Sequence, residues 1–194
     1  ILSAKDLIPI KFSIVKKDME KAGKGPYLIL MNHSSFTDMK LAYGIFYPKK
    51  MGIVTSVDAM SGILGKLMRL LGCTPTHKYI TDISLIRDIK YMLEENKTSV
   101  LMYPEAGYSF DGRATTMPKR LGTLMKHLGV PVVTVITQGA FHRDPLYNML
   151  QIRDVKVSAH VKCIATAEEV KEKTVEELIG VDIPDGMLAK VVDG

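Results

Sequence analysis

The stretch LILMNHSSFTDMKLAYGIF, residues 28–46, carries an apolar run that stops at Asn32, with His33 immediately after it and Asp38 five positions further on. A short apolar run closed by a polar residue reads as a buried strand, and the spacing that follows reads as a helix. The Ser34–Ser35 pair then supplies a natural helix N-cap, and Asp38 falls in the first turn. There the positive end of the helix dipole favours a carboxylate. Within one continuous helix, residues five apart stand about 140° apart around the axis and do not meet. Across a strand-to-helix corner they can. Asp38 would accept a hydrogen bond from one imidazole nitrogen of His33 and leave the other as a general base, the orienting role of the carboxylate in serine hydrolase triads. Spacing alone does not single out this pair, because His77 and Asp82 in HKYITD have the same separation. Position separates them: His33 directly follows an apolar strand, whereas His77 follows the GCTPT loop.

Outward from this seam, the runs YLILMN (27–32), MGIVTS (51–56), SVLMYP (99–104) and VPVVTVIT (130–137) read as buried strands. Helices are expected over 36–46, 59–71, 83–95 and 118–128, with Ile83, Ile86, Ile89 and Leu93 forming one apolar stripe. VKVSAHVKCI (155–164) alternates like a half-exposed strand, and TAEEVKEKTVEELIG (166–180) reads as a solvated C-terminal helix. Strands alternating with helices imply an α/β fold: a single domain with a mixed, largely parallel sheet flanked by helices. Chemistry in such sheets gathers beyond the carboxyl ends of the strands.

The 194 residues suit one domain with a substantial core, and 46% hydrophobic against 24% charged residues is a globular composition. No window approaches 18 uninterrupted apolar residues, so no bilayer span is expected, and no stretch has the layout of a signal peptide. The sequence starts at Ile1 rather than Met, as a piece of a longer chain would, and an anchor before it is left open. Cys73 and Cys163 form neither a metal spacing nor a disulfide framework, which suits a reducing compartment. A formal net charge of +5 favours an anionic partner: nucleic acid, an anionic membrane or a phosphorylated substrate.

A second strand end adds to the first. TSVLMYPEAGYSFDGR (98–113) runs from a buried strand through Pro104, which stops a sheet ladder, and Glu105 into a loop where Gly107 and Gly112 permit turns. Two polar constellations at two carboxyl strand ends in one small domain favour a functional reading over two ordinary turn carboxylates.

These residues resemble the glycerolipid acyltransferase family, the group typified by 1-acylglycerol-3-phosphate acyltransferase. NHSSFTD is similar to its N-H-x-x-x-x-D motif, and YPEAGYS to its F-P-E-G-T-R-S block, with Glu105 on the glutamate. GCTPTHK (72–78) falls in register with G-x-I-F-I-D-R, placing Lys78 at the arginine. PKRLG (118–122) matches P-F-K-x-G, with Arg120 at the lysine, and GVPVVTVITQGA (129–140) resembles the V-P-I-x-P-V strand. The likeness covers about residues 26 to 140.

The resemblance implies transfer of a fatty acyl group from a thioester, on coenzyme A or acyl carrier protein as cosubstrate, to a lysolipid hydroxyl. His33 and Asp38 would be catalytic, with direct attack by the acceptor, so Ser34 and Ser35 read as cap residues rather than nucleophiles. Glu105, Lys78, Gly107 and Arg120 would bind substrate, backbone N–H groups around Gly107 being candidate oxyanion donors. The match departs at the acceptor site. Lys78 lacks the bidentate fork of arginine, neutral Tyr108 stands at the second arginine, and Ala106 and Gly107 replace glycine and threonine. Lysophosphatidate is therefore the default acceptor, with another lysolipid or a less charged alcohol as the alternative. Lys78, Arg113, Lys119 and Arg120 could gather around a phosphate.

A lipid substrate needs access to a bilayer. SGILGKLMRLLG (61–72) and ILSAKDLIPIKFSIVKK (1–17) combine apolar and basic residues, as interfacial binding to anionic lipid requires. Residues 1–25 are accordingly expected as an interfacial segment ahead of an acyltransferase-like domain over 26–194, cytoplasmic and peripheral to the membrane. The nearest rival is a hydrolase that discharges an acyl thioester to water. A binding protein on the same fold is another. Scattered histidines and the lack of paired cysteines disfavour a metal site, and no Trp with 7% aromatics disfavours a nucleic-acid module.

Overall fold

A computed structural model describes residues 11–35, 37–56, 60, 62–70, 72–76, 83–105, 107–109, 120–143 and 153–180. These residues build a seven-stranded sheet with helices on both faces. The strands are β1 (Phe12–Asp18), β2 (Leu28–Met31), β3 (Met51–Ser56), β4 (Cys73–Thr76), β5 (Ser99–Met102), β6 (Val132–Gln138) and β7 (Val157–Ala165). The helices are α1 (Asp38–Phe46), α2 (Gly62–Leu70), α3 (Ile83–Glu94), α4 (Arg120–Leu128), α5 (Ala140–Arg143), α6 (Ala167–Glu172) and α7 (Val175–Gly180). Sheet order is β1-β7-β6-β2-β5-β3-β4, parallel at every pairing except β6 with β7.

β2 is central, and every residue in it is buried. Successive side chains of a strand point to opposite faces. Ile29 and Met31 therefore join one core with Leu41, Ala42 and Ile45 of α1, while Leu28 and Leu30 join another with Ile89, Leu93, Leu121 and Met125 of α3 and α4. Burial on both faces is why this strand reads as a continuous apolar run rather than an alternating one.

Several expectations are corrected. Ile83 is 81% exposed, so the buried stripe of α3 is Ile89 and Leu93, with Leu85 and Met92 packed beside them. GCTPT is not a loop: Cys73–Thr76 pairs with β3 as an edge strand. Phe12–Asp18, expected in a segment ahead of the domain, belongs to the sheet itself as its opposite edge strand, held parallel to β7. The expected C-terminal helix is two helices, because Thr174 restarts it. Glu177 Oε2 accepts from Thr174 N–H (2.7 Å) and Thr174 Oγ1 from Glu177 N–H (3.2 Å), repeating the capping box of Thr166 and Glu169. Among the described residues, no helix is long and apolar enough to cross a membrane. The readings that concern residues 1–10, Lys78, Ala106, Arg113 and Lys119 lie outside the described residues.

Candidate active site

β2 delivers His33 to the carboxyl end of the sheet, and its setting is fixed from below by Asn32. This buried amide donates to Ser34 Oγ (3.0 Å) and the Thr137 carbonyl (3.1 Å). Its Oδ1 accepts from Thr137 N–H (2.8 Å) and the Thr137 hydroxyl (3.2 Å). Asn32 thus ties the ends of β2 and β6 together, and its amide oxygen and nitrogen are both satisfied without water.

The backbone then turns toward α1. Asp38 opens that helix, fully buried, and its Oδ2 lies 3.0 Å from His33 Nδ1. The same oxygen accepts from Ser34 N–H (2.6 Å) and Ser35 N–H (3.0 Å). A carboxylate at Asp38 can only accept, which assigns the hydrogen to Nδ1 of His33; in the neutral imidazole the lone pair is then on Nε2. The expected cap is reversed. Thr37, not a serine, occupies the N-cap position, without a side-chain bond to the helix. The Asp38 side chain instead reaches back to the serine amides, while Ser35 Oγ accepts from Thr37 N–H (3.1 Å). Both serines are buried in this turn.

The loop after β5 is strapped to His33 by its backbone. His33 N–H donates to Glu105 Oε1 (3.4 Å), and Ser109 N–H donates to the His33 carbonyl (3.0 Å). With Glu105 and Ser109 so held, this stretch lays an aromatic ring on each face of the imidazole. Tyr103 stacks at a centroid distance of 4.0 Å and 18° between planes, and Tyr108 lies at 3.7 Å and 30°. The His33 side chain is 16% exposed. Burial pushes the Tyr103 phenol well above its ordinary range, and the charge of Asp38 adds to the effect. Its hydroxyl and Asp38 Oδ1 are buried without a hydrogen-bond partner among the described residues.

Of the residues singled out in the sequence, His33, Asp38 and Glu105 are thus in one cluster. Gly107 lies between Glu105 and Tyr108 in the strapped loop, with open space where a Cβ would stand. Arg120 is exposed at the first residue of α4, and none of the bonds above includes it. In the sequence Tyr108 registers only as a missing charge, and Tyr103 has no assigned role. The signal for them is an aromatic residue on each side of P-E-A-G, a spacing that brings both rings to one place only once the loop folds back.

The family model "Acyltransferase" matches residues 13–138 of this chain. Among solved structures, the chain is similar to the crystal structure of PlsC, a 1-acyl-sn-glycerophosphate (LPA) acyltransferase from Thermotoga maritima. The TM-score is 0.63 at 20% identity, covering 87% of this chain and 69% of that one. At this identity the likeness speaks to the fold. No curated protein matches the chain.

Proposed function

Because the chain belongs to the acyltransferase family, we propose that it moves a fatty acyl group from a coenzyme A or acyl carrier protein thioester to the hydroxyl of a lysophospholipid, by default 1-acylglycerol-3-phosphate. The observation that carries this is the 3.0 Å contact between His33 Nδ1 and Asp38 Oδ2, which leaves Nε2 as a base at the carboxyl end of the sheet. An alcohol is a poor nucleophile at neutral pH. His33 Nε2 takes its proton as the oxygen attacks the thioester carbonyl, Asp38 steadies the imidazolium, and the tetrahedral intermediate collapses by breaking the C–S bond. The departing thiolate takes the proton from His33. General-base help of this kind is worth about 10²–10⁴ in rate.

Glu105 serves by holding the backbone of His33, and amides near Gly107 would face the oxyanion. Arg120 and Lys78 would meet the acceptor's phosphate. The lipid is reached from an anionic membrane surface, with the protein peripheral to the cytoplasmic leaflet. Exposed Ile14 and Val15 beside Lys16 and Lys17 on β1 support this reading, as does exposed Leu70 beside Lys66 and Arg69 on α2.

A second acceptor class is favoured by one observation. Tyr108 stands where the family motif carries arginine, and its ring is stacked on His33. A hydroxyl on a less charged lipid suits that neutral surface better than one beside a phosphate. A competition assay decides: one thioester donor offered to equal amounts of 1-acylglycerol-3-phosphate and neutral monoacylglycerol, with products identified by mass spectrometry. A diacyl product of either acceptor supports acyl transfer and names the class. Free fatty acid as the sole product would assign a thioester hydrolase instead.

A further inference from the structure

The imidazole of His33 is enclosed on both faces, and this has a mechanical and an electrostatic consequence. The Cβ–Cγ bond and the hydrogen bond from Nδ1 to Asp38 hold one side of the ring and leave the Nε2 side able to tilt. Rings at 4.0 Å and 3.7 Å on opposite faces remove that freedom, so that only the edge of the imidazole remains open. Rate falls steeply when a reacting group is misplaced by as little as 1 Å, which makes such confinement useful. A cation is also attracted to the face of an aromatic ring. Proton transfer to Nε2 creates a cation between two such faces.

From this geometry we propose that Tyr108 and Tyr103 form an aromatic clamp on the general base, fixing the plane of the His33 ring and stabilising the imidazolium formed during attack. Both are positioning residues that act through His33, and the proposal rests on the acyl-transfer reading above. Three facts make the clamp a built feature. Glu105 and Ser109 anchor the loop to the amide and carbonyl of the histidine itself, so the rings cannot drift away from it. Tyr103 is the last residue before Pro104, at the end of a buried strand. Burial keeps its phenol neutral, so the face it offers is that of an uncharged ring.

The test combines kinetics with NMR of the His33 ring protons, assigned by comparison with His33→Asn. Protons held over aromatic faces resonate upfield, and this readout needs no substrate. Tyr108→Leu is expected to move these signals downfield and to lower kcat about 30-fold, the size of one desolvated cation–ring contact, with KM for the thioester unchanged. Tyr108→Phe keeps the ring and is expected to hold both the shifts and kcat within about 3-fold of the parent, since only a hydroxyl is lost. The pair Tyr103→Leu and Tyr103→Phe should behave alike, with circular dichroism confirming that each variant folds. His33 signals without an upfield shift, or unmoved by Tyr108→Leu, would overturn the clamp. So would unchanged kcat in Tyr108→Leu, or a Tyr108→Phe variant as slow as Tyr108→Leu. Absence of any His33-dependent turnover would instead sink the acyl-transfer reading and the catalytic role of the clamp with it, while the ring shifts would still report whether the rings enclose His33.

Discussion

Asp38 Oδ2 gathers three donors: two consecutive serine amides and His33 Nδ1. The carboxylate therefore shapes the turn as well as orienting the ring, and the two effects can be separated by substitution. Asp38→Asn is expected to lower kcat by about 10²–10⁴ through loss of the oriented base. It should also lower stability by about 1–3 kcal/mol, because the amide oxygen that keeps these donors paired forces the NH2 into the buried place of Oδ1, which has no partner among the described residues. Urea titration beside a kinetic assay reads both, and a variant with full activity would remove Asp38 from the mechanism. The pairing of His33 with Asp38 was legible in the sequence because both flank a strand-to-helix seam. The tyrosines were not, because ring stacking depends on the path of a loop that no local periodicity describes.

Between elements, the closest tolerances are at small or polar residues. Gly122 of α4 faces α7 so closely that an added Cβ would stand 2.9 Å from the Val175 carbonyl oxygen. That neighbour is backbone and cannot rotate away. Gly122→Ala is expected to destabilise the protein by about 1–3 kcal/mol despite the better helix propensity of alanine, as overpacking does. A rise in melting temperature would contradict this contact. Asn32 is the polar counterpart. Asn32→Ala strips Thr137 N–H of its acceptor in a buried setting and should cost about 1–3 kcal/mol. Chemical denaturation checks it, and a loss under about 0.5 kcal/mol, within the range of an unremarkable surface change, would deny the β2–β6 tie. At this scale the helix that became two shows what sequence could have told. TAEE and TVEE are both capping-box patterns, and the second one restarts the chain at Thr174. β4 was harder to read, since Pro75 and two threonines look like a loop until the edge of β3 offers them a partner.

Across the whole molecule, the central parallel strands were readable from continuous apolar runs between helical patterns. The placement of β1 was not. Its partner lies about 145 residues away, at Val157 opposite Phe12, and an exposed edge strand of mixed apolar and basic residues carries no pattern that specifies a partner. The same packing sets a pH limit. Burial raises the Cys73 thiol to about 11 and raises the phenols of Tyr43 and Tyr103. Each group binds its proton more tightly when folded, so its contribution is complete below its unfolded value and is lost as pH rises through the folded one. Stability should fall as pH climbs from about 9 toward 11, and Cys73→Ala should flatten part of that fall. Thermal melts across this range check it, and a flat alkaline limb in the parent protein would contradict the burial of these groups. For the same reason neither cysteine should react readily with a thiol reagent at pH 8 until the protein is unfolded, since both thiols are buried and raised.

That protection makes the decisive assay clean. The measurement is thiol release from palmitoyl-coenzyme A with and without a lysophospholipid, for the parent protein and for His33→Ala. The account predicts release that needs the acceptor, yields its diacyl product, and falls by about 10²–10⁴ in the variant. Release at the same rate without an acceptor, or undiminished in His33→Ala, would contradict it.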